Sequence, residues 1–364
     1  MQKNLEFADF DSVKNKKNAD SIFLAGGTAD FLPVDINLKE ISSFICKYED
    51  THGSDKLLEI YKNRELKQNY ISVSNVISCN GATSGIYSTL KMVCDVGDEI
   101  LILSPCWSIY KSICKDLKLK VVELFLDADF DYSEDLILNN ISNKTKVILL
   151  ASPSNPISKT MKVKTKKKLL EIALKNNITL LADETYYGLE YGEKSSFLDL
   201  CTKKFLNNLI VIRSLSKYYC MPGLRVGFVI SSKTNIYKVH NILRNMYLSS
   251  SNLSQHLACD IIKDVYDINW HKNSCLMKLN KFLALSKDFS NLEIIIPDAA
   301  FFVCFRIEKN QKMYYSTEDI FKETNLIFRD CNDFGLETYN RMNLCISDEQ
   351  FNLILHRMKE FLRK

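Results

Sequence analysis

The sequence predicts an α/β protein with a seven-stranded, mostly parallel sheet that carries helices on both faces. Short apolar runs alternate with helical patterns along much of the chain, as they do in repeated βαβ units. Polar residues follow several of these runs directly, and α/β enzymes bind their ligands at the carboxyl ends of such strands. The 364 residues are enough for this domain and for a smaller α/β domain at the C-terminus.

The candidate strands are apolar runs bounded by polar or turn-forming residues. Those of the large sheet fall at 76–79, 99–103, 121–124, 147–151, 178–182, 209–213 and 226–230. Later runs, closed by a helix from Asp348, predict the smaller domain and fall at 292–296, 301–305, 326–328 and 341–346. We therefore expect an N-terminal segment over 1–46 that packs with the small domain, a large domain over 47–260 and a small domain over 261–364.

Composition and charge limit the classes of partner. Hydrophobic residues make up 46% of the chain and charged residues 25%, which is ordinary for a globular protein. The net charge of +4 is too small to indicate a nucleic-acid partner, and the basic run at 162–168 is typical of a solvated helix face. No apolar run approaches the length of a membrane span, and the segment from Met1 to Asp20 lacks the apolar core of a signal peptide.

The twelve cysteines are scattered, mostly inside apolar runs such as those around Cys79, Cys94, Cys304 and Cys345. No C-x-x-C pair occurs, so the pattern indicates neither a disulfide framework nor a metal site. Reduced cysteines buried as small hydrophobic residues favour a cytoplasmic location.

The most informative motif is a lysine that follows a buried strand together with two serines. Ser214, Ser216 and Lys217 come directly after the apolar run 209–212, and Arg225 follows eight positions after the lysine. This set suits a cofactor with an aldehyde and a phosphate, because an amine can form a Schiff base while hydroxyls and a guanidinium hold the phosphate. Lysine and serine are common surface residues, so the motif gains its weight from the residues upstream.

Two upstream motifs have the chemistry that a pyridine ring needs. Asp183 ends an apolar run, and a carboxylate there can keep a pyridine nitrogen protonated, which makes the ring an electron sink. Tyr186, three residues on, and Asn155, after the apolar run 147–151, can both reach a ring hydroxyl. Taken singly, an Asn-Pro turn or a capping acid is ordinary loop chemistry. The interpretation therefore depends on the order of all the motifs together.

In that order the sequence resembles the fold-type I pyridoxal-phosphate enzymes of the class I/II aminotransferase family. The motifs that carry the resemblance are Gly81-Ala82-Thr83, Trp107, Asn155-Pro156, Asp183 with Tyr186, Ser214 to Lys217, and Gly223 to Arg225. The resemblance runs from about Gly27 to Arg341, which is nearly the whole chain. It implies the PLP-transferase fold of type I and pyridoxal 5'-phosphate as the cofactor.

The resemblance also implies a role for each matching residue around the cofactor ring. Lys217 would form the internal aldimine and later move the α-proton of the substrate, which makes it the catalytic residue. Asp183 would pair with the pyridine nitrogen. Tyr186 and Asn155 would hold the ring hydroxyl, and Trp107 would stack on the ring.

The implied phosphate site combines hydroxyls, a guanidinium and the start of a helix, whose free N–H groups attract anions. Its members are Ser214, Ser216, Arg225, Ala82 and Thr83, joined by Tyr48 from the partner chain of a homodimer.

The implied substrate contacts are Arg341, Arg329 and Gly27. Arg341 matches the arginine that clamps a substrate carboxylate. Arg329 with Arg341 looks most like the histidinol-phosphate aminotransferase branch, in which an arginine pair serves an anionic group. Two departures weaken that branch, since no glycine follows Asn155-Pro156 and no acid follows Gly81-Ala82-Thr83.

The function that these motifs predict is that of a pyridoxal-phosphate-dependent enzyme acting on an amino acid or a related amine. Amino transfer is the favoured reaction. A lyase, decarboxylase or cyclase of the same fold is the alternative, because no motif reveals which substrate bond breaks. A non-catalytic sensor of the same fold is the remote alternative.

Overall fold

The computed structural model describes residues 20–25, 48–126, 131–263, 268–310 and 313–363. The predicted seven-stranded sheet is present, and every predicted run contributes one strand. The strands are β2 (Val76–Cys79), β3 (Glu99–Ser104), β4 (Lys120–Phe125), β5 (Thr145–Ala151), β6 (Thr179–Asp183), β7 (Leu209–Ser214) and β8 (Gly227–Ile230). Their order across this large sheet is β2-β8-β7-β6-β5-β3-β4.

Strand β8 runs antiparallel to both of its neighbours, whereas the pairs from β7 to β4 are all parallel. The beginning of β8 therefore lies at the same edge of the sheet as the carboxyl ends of the other strands. This single reversal brings residues just before Gly227 to the edge where α/β proteins bind ligands.

Helices cover both faces of the large sheet. They are α1 (Asp55–Glu65), α2 (Gly81–Val93), α3 (Ile109–Asp116), α4 (Glu134–Asn139), α5 (Val163–Lys175), α6 (Phe197–Leu200), α7 (Lys233–Tyr247) and α8 (Asn252–Lys263). Helix α5 contains the basic run of the sequence. Its leucines are buried at Leu169 and Leu170, and its lysines are solvated except Lys166, which is fully buried.

The inner strands of the large sheet are apolar on both faces, as a sheet covered on both sides requires. Because side chains alternate along a strand, successive residues of β6 and β7 join different clusters. Ala182 and Val211 pack in the core beneath α1 and α6. Leu181 and Ile212 pack in the core beneath α2 and α3. The same alternation decides which face the polar residues at the strand ends occupy.

A second, smaller sheet follows in sequence and is flanked by α9 (Ile268–Asp288), α10 (Thr317–Thr324) and α11 (Asp348–Leu362). Its strands are β9 (Leu292–Ile295), β10 (Phe302–Asn310), β11 (Met313–Tyr314), β13 (Arg329–Asp330) and β14 (Asn340–Asn343). Beside it, β1 (Ile22–Phe23) pairs with β12 (Leu326–Ile327) in parallel. The described residues of the N-terminal segment thus pack with the small sheet, while the exact domain bounds stay a prediction.

Three further features concern partners and ligands. None of the described helices is long and apolar enough to cross a membrane. Within the described ranges, no group of histidine, cysteine or acidic side chains is arranged to hold a metal ion. The described cysteines are buried except Cys94, and no disulfide joins any two of them.

Candidate active site

The topology brings the sequence-predicted residues of the ring and phosphate sites to one edge of the large sheet. Asp183 and Ser214 are the last residues of β6 and β7, and Arg225 comes just before β8. The remaining predicted residues of this edge follow strand ends, at Ala82 and Thr83 after β2, Trp107 after β3 and Asn155 after β5.

Asp183 is a buried carboxylate that accepts hydrogen bonds on both oxygens. Tyr110 Oη donates to Oδ2 at 2.6 Å, while the Thr185 backbone N–H and hydroxyl donate to Oδ1 at 2.9 Å and 2.5 Å. Burial raises the pKa of Asp183, and the bonds from Thr185 and Tyr110 oppose that rise. These donors fix the carboxylate at the floor of the site.

Lys217 is an amine in a poorly hydrated and electropositive place. Burial, together with the nearby charges of Arg341 and Arg225, lowers the pKa of Lys217 to about 8 against the opposing attraction of Asp183. Its Nζ lies 5.8 Å from the centre of the Tyr186 ring. A lysine with this pKa has a substantial uncharged fraction near neutral pH, so it can act as a nucleophile or a base.

Arg341 on β14 reaches the same site from the small sheet. Its Nη1 donates to Asn155 Oδ1 at 2.5 Å and its Nη2 to the Ala25 carbonyl at 3.4 Å, and its guanidinium lies 4.1 Å from the centre of the Phe302 ring. Burial lowers the pKa of Arg341, and no carboxylate of the described residues neutralises it. A buried guanidinium whose hydrogen-bond partners are neutral, and whose cationic neighbour Arg329 lowers its pKa further, is suited to bind an anion.

The bond from Arg341 also orients Asn155. Because the amide oxygen of Asn155 accepts from the guanidinium, its NH₂ group is left as the donor toward the site. The buried Tyr186 lies within electrostatic range of Arg341 and Asp183. Asn155 and Tyr186 therefore offer hydrogen-bonding groups beside the amine and the carboxylate.

Two serines and a helix start form the other end of the site. Ser214 Oγ donates to Ser216 Oγ at 2.9 Å and accepts from the Ser216 backbone N–H at 3.0 Å. Both side chains are buried. Helix α2 begins nearby at Gly81, and no side chain caps its first turn. Its N–H groups are therefore available to an anion.

Two glycines allow this helix start to approach the neighbouring groups. A Cβ on Gly227, which pairs with Ser214 across β7 and β8, would lie 2.7 Å from the Gly81 carbonyl carbon and 2.9 Å from the Ala82 nitrogen. A Cβ on Gly81, whose φ is +76°, would lie 2.4 Å from Arg225 Nη2. The N–H groups of α2, the Arg225 guanidinium and the serine hydroxyls thus lie close together, as groups that bind an anion would.

Trp107 lies where the large and small sheets meet. Its ring makes an edge contact with Tyr110 at 5.8 Å, and it packs against the cluster that contains Phe334. The loop that carries Trp107 is tied to the same turn, since the Cys106 N–H donates to the Phe334 carbonyl at 2.9 Å. Trp107 is only partly buried, so part of it stays available to a ligand.

The other predicted residues have three different outcomes. Arg329 lies directly across from Arg341 on β13, but its Nη2 is already paired with Asp333 at 2.5 Å. Tyr48 has 84% of its surface exposed and is not buried in the site of its own chain. Gly27 lies outside the described residues.

Tyr110 and Thr185 were not predicted from the sequence, although both bind Asp183. Thr185 stands two residues after Asp183, the spacing at which an aspartate accepts from a following residue. Tyr110 stands three residues after Trp107 at the start of α3, which places both on the side facing the sheet. The local Asp-x-Thr pattern was sufficient to predict the Thr185 contact. The Tyr110 contact joins residues far apart in sequence, so no local pattern indicates it.

Comparison with known proteins agrees with this geometry. The family described as aminotransferase class I and II matches residues 39–358. The chain belongs to this family. A (5-formylfuran-3-yl)methyl phosphate transaminase of Methanocaldococcus jannaschii is 29% identical over 91% of this chain and 87% of its own. An aspartate aminotransferase of Thermotoga maritima is 26% identical over 95% and 93%.

One further relative bears on the branch, and one solved structure bears on the fold. A histidinol-phosphate aminotransferase of Flavobacterium johnsoniae is 25% identical over 83% of both chains. The crystal structure of the Thermotoga maritima aspartate aminotransferase superposes with a TM-score of 0.86, covering 95% of this chain and 92% of that one at 24% identity. The predictions of the family, of its fold and of an aminotransferase-type enzyme are confirmed, and pyridoxal phosphate is the general cofactor of this family.

We predict that Tyr110→Phe lowers the free energy of unfolding by about 1–3 kcal/mol, because it leaves a buried oxygen of Asp183 without a donor. Urea unfolding at neutral pH measures the loss, and Tyr237→Phe at an exposed position is the control. The loss should shrink in acid, where Asp183 is protonated. An equal effect of both substitutions would contradict the prediction.

Proposed function

We propose that this protein is a pyridoxal-phosphate-dependent aminotransferase that takes the amino group from an α-amino acid held by Arg341. The observation that carries the proposal is the buried amine of Lys217, whose pKa burial and two neighbouring guanidinium groups lower to about 8. The anionic, cationic and hydrogen-bonding groups around it match the parts of the cofactor one by one.

The donor set fits pyridoxal phosphate. Lys217 supplies an amine for the aldehyde, and the buried Asp183 supplies a carboxylate for the pyridine nitrogen. Asn155 and Tyr186 supply donors for the ring hydroxyl, and Trp107 a partly exposed aromatic face for the ring. The phosphate would be held by the hydroxyls of Ser214 and Ser216, the guanidinium of Arg225, and the helix start at Ala82 and Thr83.

When bound, pyridoxal phosphate withdraws electrons from the substrate carbon that carries the amino group, which makes the proton on that carbon acidic. Lys217 Nζ is the base available to take that proton and to return it elsewhere, because its pKa is near the working pH. Asp183, held in place by Tyr110 and Thr185, would pair with the pyridine nitrogen of the cofactor.

Arg341 would bind the substrate carboxylate through its guanidinium. Its pKa is lowered by burial and its hydrogen-bond partners are neutral, so a carboxylate would satisfy it better than any group already present. We assign Arg329 a secondary place at the substrate side, because Asp333 already neutralises it. Gly27 remains a proposed contact from the N-terminal segment.

The amount of product formed without an acceptor distinguishes amino transfer from the lyase, decarboxylase and cyclase alternatives. The cofactor-loaded protein is mixed with a panel of amino acids without any oxo-acid acceptor, and products are measured by mass spectrometry. An aminotransferase should release one equivalent of 2-oxo acid per site and stop, since the amino group stays on the enzyme. Continued turnover would favour the alternatives.

The matched variant in this experiment is Lys217→Ala, which should release no 2-oxo acid, because the amine that captures the cofactor and moves the proton is gone. Release at the wild-type rate by this variant would overturn the assignment of Lys217. A wild-type protein that takes up no pyridoxal phosphate would overturn the proposed function as a whole.

Arg341 offers a second prediction with an internal control. Arg341→Lys and Arg341→Met should each lose about 2–5 kcal/mol of transition-state stabilisation in kcat/KM, because neither keeps the two-bond clamp on a carboxylate. Only Arg341→Met removes the positive charge that lowers the pKa of Lys217.

The pH dependence separates the two effects. The uncharged amine captures the cofactor aldehyde, so the rate of capture should rise with pH through about 8 in the wild-type protein. In Arg341→Met the midpoint should move upward, and in Arg341→Lys it should stay. Absorbance after stopped-flow mixing measures the rate. An unchanged midpoint in Arg341→Met would contradict the electrostatic coupling.

We further propose a homodimer in which Tyr48 of each chain completes the phosphate site of the other. The exposure of Tyr48 supports this, because a large aromatic residue with 84% of its surface exposed is left uncovered by the described part of its own chain. The cytoplasmic location and the three-part division at residues 46 and 260 also remain proposals.

Mixing two variants tests the shared site. A heterodimer of Tyr48→Phe and Lys217→Ala chains has one site with Lys217 and the partner's Tyr48 both intact, and one site with both defects. Half of the heterodimer sites should therefore retain the cofactor as tightly as wild type. A fully active monomer in analytical ultracentrifugation would contradict the proposal.

A further inference from the structure

A buried ion pair lies directly behind the candidate active site. Glu184 and Arg213 each neighbour a site residue along the chain, since Glu184 follows Asp183 and Arg213 precedes Ser214. Because side chains alternate across a strand, Asp183 and Ser214 point to one face of the sheet, while Glu184 and Arg213 point to the other.

The contacts of this pair are dense and almost fully shielded from water. Arg213 Nε and Nη2 donate to Glu184 Oε2 at 3.1 Å and 2.9 Å, and the two side chains are 6% and 0% exposed. Arg213 Nη2 also donates to Ser196 Oγ at 2.9 Å, and the guanidinium lies 3.8 Å from the centre of the Tyr187 ring.

Glu184 is held just as firmly from its own side. Its Oε1 accepts from the Phe197 backbone N–H at 2.7 Å, and its Oε2 accepts from Ser196 Oγ at 2.7 Å. Its backbone N–H donates to the Ile212 carbonyl at 2.8 Å, which is the last backbone bond between these strand ends. The side-chain pair therefore continues the connection of β6 to β7 one residue beyond the backbone ladder.

We propose that Glu184 and Arg213 are positioning residues that set the spacing between the Asp183 carboxylate and the Ser214–Ser216 hydroxyl pair. The inference rests on the proposed function, in which one rigid cofactor spans both groups. A ligand that contacts both places is sensitive to their separation, because binding sites tolerate errors of only about 0.5 Å. A ligand that contacts only one of them is insensitive to it.

A purely structural role would give a different pattern. Buried ion pairs often contribute little net stability, while loss of one partner destabilises the protein because a charge is left buried alone. If a variant is partly unfolded, every ligand that needs the folded state binds it more weakly. If the variant is fully folded, a purely structural role predicts no loss for any ligand. Only a positioning role predicts a selective loss for the ligand that spans the two groups.

The experiment compares three probes by calorimetric titration of the cofactor-free protein. Pyridoxal phosphate spans both groups, pyridoxal lacks the phosphate, and inorganic phosphate lacks the ring. The variants are Arg213→Lys, which keeps the charge but cannot make the same set of bonds, and Glu184→Gln, which keeps the shape and the contacts with Ser196. Thermal melting first establishes that each variant is folded at the temperature of the titration.

In both variants the Kd of pyridoxal phosphate should rise by about tenfold or more, since a displacement near 1 Å at a bound group has effects of that order. The Kd values of pyridoxal and of inorganic phosphate should stay close to wild type. The matched control is Lys278→Met, which removes a buried cation outside the candidate active site. Lys278 lies on α9 and pairs with Asp348 on α11 at 3.0 Å. The control variant should leave all three Kd values unchanged, whichever way it shifts the melting temperature.

Equal losses for all three probes, or no loss for pyridoxal phosphate in folded variants, would overturn the positioning role while leaving the proposed function intact. Failure of the wild-type protein to bind pyridoxal phosphate would overturn both. Should either variant not fold, the other decides, because Arg213→Lys changes the bonding geometry of the pair while Glu184→Gln removes its carboxylate charge.

Discussion

Burial of charge at one edge of the large sheet is the constraint on which the candidate active site depends. Lys217, Asp183 and Arg341 are all removed from water, and each would be costly to bury without compensation. Asp183 is compensated by hydroxyl and backbone donors, whereas Arg341 has only neutral partners. The net result is an electropositive cavity edge, which lowers the pKa of the lysine and favours anionic ligands.

That electrostatic arrangement is possible only because the backbone packs closely. The reversal of β8 brings Arg225 to the same edge as the carboxyl ends of the parallel strands. Gly81 and Gly227 then let the start of α2 approach the guanidinium and the serine pair, because a Cβ at Gly81 would collide with Arg225 and a Cβ at Gly227 would collide with the helix start. The candidate anion site thus depends on the direction of β8 and on the absence of side chains at Gly81 and Gly227. Arg225 supplies its charge.

Much of this could be predicted from the sequence, because the signals are local. Apolar runs predicted all seven strands of the large sheet, and Asp183, Ser214 and Lys217 stand within a few residues of the strand ends that present them. The contacts that could not be predicted join distant segments. Tyr110 reaches Asp183 across 73 positions, and no pattern in either segment indicates the bond. The pairing of Arg329 with Asp333 was missed for another reason, since an i,i+4 spacing outside a regular helix carries little weight.

The position of Arg341 shows how the two sheets depend on each other. Its strand belongs to the small sheet, while its guanidinium donates to Asn155 after a strand of the large sheet and to Ala25 beside β1. Three segments far apart in sequence must therefore fold before this cation can take its place. Asp183 and the residues that hold it, Tyr110 and Thr185, lie within the large domain and need no such assembly, whereas Asn155 takes its orientation from the Arg341 of the small sheet. A change in the relative position of the two sheets would then move the Arg341 guanidinium, the proposed substrate contact, more than it would change the environment of Asp183.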